Sequence, residues 1–170
     1  MPVTPQQITD VINYWARIRN IPAALIKAII YQESRFNPKA LRYEAHINDS
    51  SYGLMQILLG TARAMGFTGP ADLLYMPMVN LKFATKFLKD LLIRYKSHLP
   101  DTLSAYNAGS GNVKAGKPYV NPQYVQSVLK LYAAYSRKDI IKPMFPIPLL
   151  IAGLVGGLIL LLYNRRKSIH

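Results

Sequence analysis

The chain has 170 residues, no cysteine, and 21 Lys+Arg against 8 Asp+Glu, a formal net charge of +13. That length makes one ordinary domain able to bury a core, and the lack of cysteine excludes disulfides, a thiolate nucleophile and Cys-built metal centres. Hydrophobic residues at 51% exclude a disordered chain, and the basic surplus points to an anionic partner: nucleic acid, anionic lipid headgroups or an acidic wall polymer.

The first helix is predicted after Thr4, with Pro5 at its first position and Gln7 three residues on, a capping-box pattern. A second is expected over 22–34, ending near Asn37-Pro38, and a third over about 53–65 with Gly66 as C-cap. Phe83, Phe87, Leu88, Leu91, Leu92 and Tyr95 stand at helical spacing in a fourth, over 79–97. A short helix runs from Asp101 to Gly109. The last begins at Asn121-Pro122 and carries Val125, Val128, Leu129 and Tyr132. Alternating strand patterns are essentially absent, so an all-α fold is expected.

Composition changes near residue 143. The run Ile147–Tyr163 is uncharged, and with Phe145 and Pro146 it would span roughly 29 Å as a helix, about one bilayer core. Arg165, Arg166 and Lys167 follow it, which places the C-terminus on the cytoplasmic or interior side. Gly153 and Gly157 form a GxxxG through which the helix could pack on other membrane proteins. The expected organisation is a catalytic domain over 1–136, a linker over 137–146, a transmembrane helix over 147–163 and a basic tail over 164–170. The start, MPVTPQQITD, does not read as a secretory signal peptide. A single-pass membrane protein in a lipid bilayer follows from these readings.

Only two of the acids are glutamates. Glu33 follows Ile29 and Ile30 at four and three residues, so it continues an apolar helical stripe. Desolvation there would raise its pKa toward that of a general acid. A frayed helix end, turned to water or paired with Arg35, is the alternative. Glu44 sits in a polar stretch, RYEAHINDSS, and reads as a solvated loop carboxylate. Two other segments are odd as plain structure. SYGLMQI (51–57) puts a Gly and a Gln into an apolar run, and AYNAGSG (105–111) ends a helix in a Gly-rich turn. His46, His98 and His170 are scattered, so no metal site is expected. Lys and Arg are spread along every helix without interleaved stacking aromatics, so no specific nucleic acid is expected either.

Together these segments resemble the catalytic domain of the soluble lytic transglycosylase family, with its goose-type lysozyme fold. The resemblance rests on Glu33-Ser34 with Phe36-Asn37-Pro38, on Gly53-Leu54-Met55-Gln56 with Thr61-Ala62, on Ala105-Tyr106-Asn107-Ala108-Gly109, and on Tyr124-Val125. It implies a lysozyme-like helical domain in which Glu33 is the single catalytic acid/base. Ser34, Gly53, Met55, Gln56, Tyr106, Asn107 and Tyr124 would bind substrate, with Gly53 giving the sugar room and Met55 lining the groove. The implied reaction cleaves the β-1,4 bond between N-acetylmuramic acid and N-acetylglucosamine in peptidoglycan strands, leaving a 1,6-anhydro end, without metal or organic cofactor.

The chain departs from the family pattern over LRYEAHINDSSY (41–52), where Arg42, Tyr43 and Tyr52 would shape the groove floor and Asp49 or Glu44 could activate water. A lysozyme-like hydrolase, and a non-catalytic basic membrane protein holding wall polymer or nucleic acid, stand as alternatives. Joined to a membrane helix, the domain is expected in a bacterial inner membrane or a phage particle's internal membrane, facing the wall during genome entry.

Overall fold

The computed structural model describes residues 2–114 and 116–141. The capping box forms as the sequence predicts. Helix α1 (Pro5–Arg19) starts with Thr4 Oγ1 accepting from the Gln7 N–H and Gln7 Oε1 accepting from the Thr4 N–H. Helix α2 (Ala23–Ser34) is the centre of the core: Leu25, Ile26, Ala28, Ile29 and Ile30 are at most 1% exposed, so it is apolar nearly all round. It stops where Arg35 and Phe36 take consecutive left-handed conformations, at φ 53° and 64°.

The segment after α2 is not a loop. It forms β1 (Leu41–Glu44), β2 (Asp49–Tyr52) and β3 (Ile57–Leu58), an antiparallel sheet in the order β1-β2-β3. Leu41 pairs with Tyr52 and Glu44 with Asp49, and Ser51 then pairs with Leu58. The all-α expectation is corrected here. Strands of four, four and two residues are too short for a period-two pattern to register, and β1 is mostly exposed.

The single helix expected over 53–65 is also corrected. Gly53 (φ 69°) and Gln56 (φ 45°) both lie in the left-handed region, so residues 53–56 make a turn between β2 and β3. Helix α3 occupies only Leu59–Ala64. Asp49 accepts from the Gly60 N–H at 2.9 Å and the Ser50 N–H at 2.7 Å, which ties β2 to the start of α3.

A 3-10 segment (Ala71–Tyr75) leads to α4 (Pro77–Arg94), followed by α5 (Leu99–Ala108), a 3-10 turn (Ser110–Asn112) and α6 (Pro122–Ile141). Helix α4 packs along α1, where the Trp15 indole N–H donates to the Met78 carbonyl at 3.2 Å. Asn80 of α4 is fully buried. Its Oδ1 accepts from the Met55 N–H, and its Nδ2 donates to the Tyr52 and Leu74 carbonyls. One amide thus satisfies three backbone groups that the turn would otherwise strand. The described residues as far as Arg137 form one compact unit.

The expected fold of a helical domain followed by a membrane helix is corrected in its second half. Among the described residues no helix is long and apolar enough to cross a membrane. Helix α4 shows why for itself: buried Leu81, Leu88 and Leu92 alternate with exposed Lys82, Lys86 and Asp90, so one of its faces is polar. The run 147–163, with Gly153 and Gly157, lies outside the described residues, and the single-pass localisation drawn from it does not stand.

Candidate active site

A cleft of about 640 Å³ opens between the β-hairpin on one side and the end of α5 with the start of α6 on the other. Glu33 reaches it from the last turn of α2. Its carboxyl is partly buried, and Oε1 accepts a 2.6 Å hydrogen bond from the Tyr124 phenol of α6. Burial pushes the Glu33 pKa from its ordinary 4.5 up to about 7. The Tyr124 hydrogen bond and the Arg42 charge pull against that, and Glu44 adds to it. The Tyr124 phenol is itself raised well above its ordinary 10.0, by burial first and then by Glu33, so it remains a donor.

The alternative of a Glu33–Arg35 pair is not realised. The Arg35 guanidinium lies over the Tyr31 ring at 4.1 Å.

The sequence-predicted residues divide into two groups. Gln56, Tyr106 and Asn107 line the cleft with Glu33. Gln56 donates to the Ala40 and Gly53 carbonyls, which holds its strained turn in place. Tyr106 donates to the Met55 carbonyl at 3.0 Å and rests against Phe87. Tyr124 reaches the site through its bond to Glu33.

The second group supports the cleft from behind. Met55 is 0% exposed and faces the core rather than the groove. Ser34 Oγ lies 2.7 Å from the Leu54 carbonyl and 3.2 Å from that of Ile30, pinning the end of α2 to the turn. Gly53 gives room to protein and not to a sugar: a Cβ there would stand 2.5 Å from the Leu74 carbonyl and 2.6 Å from Asn80 Nδ2.

The hairpin brings in residues that sequence reasoning placed elsewhere. Glu44 is not a solvated loop carboxylate. Its side chain is 16% exposed, lines the cleft, pairs with Arg42 through Oε1 and has Ser51 Oγ within 3.5 Å. Tyr43 points outward at 60% exposed and bonds Asn48, while Tyr52 packs edge-on against Tyr75, so neither floors the groove. Asp49 is taken up by backbone N–H groups. Phe87 and Asn121 also line the cleft and carried no sequence signal beyond helix spacing and an N-cap. Among the described residues no group of three or more His, Asp or Glu side chains is placed to hold a metal ion.

A helical domain with a small antiparallel sheet, and a desolvated glutamic acid facing a long cleft between them, defines the lysozyme-like class of glycan-cleaving folds. The chain belongs to the transglycosylase SLT domain family, which it matches over residues 10–135. It is 31% identical over 117 residues to the soluble lytic murein transglycosylase of Escherichia coli K12, covering 65% of this chain and 17% of that one. It is 33% identical over 126 residues to protein IpgF of Shigella flexneri, covering 71% of this chain and 79% of that one.

Among solved structures, the 70 kDa soluble lytic transglycosylase from Escherichia coli superposes with a TM-score of 0.65 at 26% identity, over 82% of this chain and 25% of that one. A complex of the 70 kDa soluble lytic transglycosylase with bulgecin A gives a TM-score of 0.69 at 26% identity, over 81% and 25% of the two chains. The chain thus spans about a sixth of the first curated relative's length and a quarter of these solved chains.

Proposed function

We propose that this chain is a peptidoglycan lytic transglycosylase that cleaves the β-1,4 bond between N-acetylmuramic acid and N-acetylglucosamine. The observation that carries the reading is the carboxyl of Glu33, held protonated to about pH 7 by burial in the cleft and oriented by the Tyr124 phenol. A carboxyl poised there suits both halves of an acid/base cycle near neutral pH.

Glu33 donates its proton to the glycosidic oxygen as the C1–O4 bond breaks. The substrate's own acetamido group steadies the positive charge at C1. Glu33, now a carboxylate, takes the proton from the 6-hydroxyl as O6 bonds to C1. The product carries a 1,6-anhydro ring, and no water is consumed. Gln56, Tyr106 and Asn107 would hold the sugars against this carboxyl.

A second reading, hydrolysis, is favoured by one feature: Glu44 shares the cleft, and a two-carboxylate hydrolase needs such a partner. Its Oε1 is committed to Arg42, which leaves that oxygen occupied and not free to receive a water. The virion setting finds no support among the described residues and is not part of this proposal.

Mass spectrometry of muropeptides released from purified cell wall by the full chain tests the reading. Anhydro-muramic ends are expected, and Glu33→Gln should release essentially none. Reducing muramic ends would transfer the assignment to the hydrolase. Wall clearance by Glu33→Gln at the unaltered rate would remove Glu33 from the chemistry.

A further inference from the structure

Asn107 lies in the last turn of α5 and is exposed to the cleft, and Asn121 stands just before α6 with a half-buried side chain on the same cleft wall. A carboxamide can present either a donor or an acceptor, and its orientation is set by its partners. Here the orientation follows from a group that can only accept. The backbone carbonyl of Ser104 meets the Asn121 side chain at 3.3 Å, so the Asn121 atom facing it is Nδ2. Oδ1 on the other limb accepts from Ser104 Oγ at 2.7 Å.

The second N–H of Asn121 Nδ2 donates to Asn107 at 2.8 Å, so the Asn107 atom it meets is Oδ1. The NH2 of Asn107 is therefore the end left for a ligand. Ser104 and Asn121 fix the polarity of one exposed amide, at a position where a lone Asn would turn freely.

We infer that Asn121 is a positioning residue: together with Ser104 it locks Asn107 as a fixed hydrogen-bond donor, set to meet the acetamido carbonyl of an N-acetylhexosamine. This rests on the glycan-cleaving reading above and goes beyond it. Sugar hydroxyls both donate and accept, so an amide of either orientation satisfies them. A carbonyl oxygen only accepts, and it is matched only when the NH2 faces the cleft. The lock thus matters to a 2-acetamido sugar and not to a 2-hydroxy sugar.

Calorimetric titration of the full chain with chitotetraose and cellotetraose tests this with two neutral β-1,4 glucans that differ at C2. Inverting the Asn107 amide should weaken chitotetraose roughly ten-fold, the worth of a well-made hydrogen bond against a mismatched one, and spare cellotetraose. Asn121→Asp, of equal volume and with only acceptors to offer Asn107, turns the Asn107 NH2 inward and should lose roughly that factor on chitotetraose while staying within about two-fold on cellotetraose. Asn107→Ala should lose the same factor, and the double variant should lose no more, because Asn121 acts only through Asn107.

Asn121→Leu only frees the Asn107 amide to turn, so it should lose about two-fold on chitotetraose; a loss as large as that of Asn121→Asp would show a structural role and overturn the inference. Losses that add in the double variant, or an equal loss of the two sugars in Asn121→Asp, overturn the inference. Either result with anhydro-muropeptide release intact leaves the proposed function standing. A chain that binds neither glucan and cleaves no wall removes both.

Discussion

The phenol of Tyr124 donates to Glu33 Oε1 at 2.6 Å across 91 residues of chain, and this bond sets both where the carboxyl points and how acidic it is. It works against burial, which is the larger influence and holds Glu33 near 7. Its neighbour on α6, Ser127, bonds Gln32 at 2.6 Å, so the two helices are joined at consecutive positions of α2. The last helix thereby closes the site that the second helix begins.

The pH dependence of cleavage follows from that balance. Glu33 must be protonated to start the cycle, so kcat/KM on purified wall should fall about ten-fold per unit as pH rises above about 7. Tyr124→Phe removes a bond that lowers the Glu33 pKa. The alkaline limb should therefore move to higher pH, while the rate at its plateau drops as the carboxyl loses its orientation. A pH–rate profile of both proteins checks the direction; a limb that moves down contradicts it.

Stability should respond to the same group with the opposite sense from an ordinary surface acid. The folded pKa of about 7 lies above the ordinary 4.5, so between these values the folded state holds more protons than the unfolded chain. Stability from this group is full below about 4.5 and is lost as pH rises through 7, by at most ~3 kcal/mol. Glu33→Gln abolishes that loss. Urea unfolding should show the variant more stable than the unaltered chain at pH 8.5 and nearly equal to it at pH 4.

The hairpin pair tunes Glu33 from the far wall of the cleft. Arg42 lowers its pKa and Glu44 raises it. Arg42→Gln should move the alkaline limb of the pH–rate profile up, and Glu44→Gln should move it down. Shifts in the same direction would show that the two side chains act through hairpin structure and not through charge.

Gly53 and Asn80 together hold the turn that places Gln56. Gly53→Ala brings a Cβ to 2.5 Å from the Leu74 carbonyl on a backbone with φ 69°, and about 3 kcal/mol of destabilisation is expected. Asn80→Leu strands the Met55 N–H and two carbonyls in the core, at a cost of about 3 kcal/mol or more. Chemical denaturation measures both, and a loss below 1 kcal/mol in either would show that the turn relaxes without them.

Helices were legible wherever they announce their ends. The Thr4–Gln7 box, the break after Ser34, Gly109 as a C-cap and Pro122 as a helix start all appear as read. The sheet was not legible, because its pairing joins Arg42 to Ser51 and Ser51 to Leu58 by hydrogen bonds that leave no pattern in ten residues of strand. For the same reason Glu44 read as a loop carboxylate: only its register on β1 turns it into the cleft.

What the sequence determined by itself is the candidate acid. Glu33 lies on an apolar stripe within a recognisable set of spaced motifs, and local periodicity is enough to place a side chain on the buried face of a helix. What only the tertiary structure decided is the company that acid keeps. Tyr124, Arg42, Glu44 and the Asn121–Asn107 relay come from three separate segments, β1, the end of α5 and the start of α6. Their effects on charge and donor polarity depend on distances of a few ångströms, which are set when remote elements pack and not by spacing along the chain.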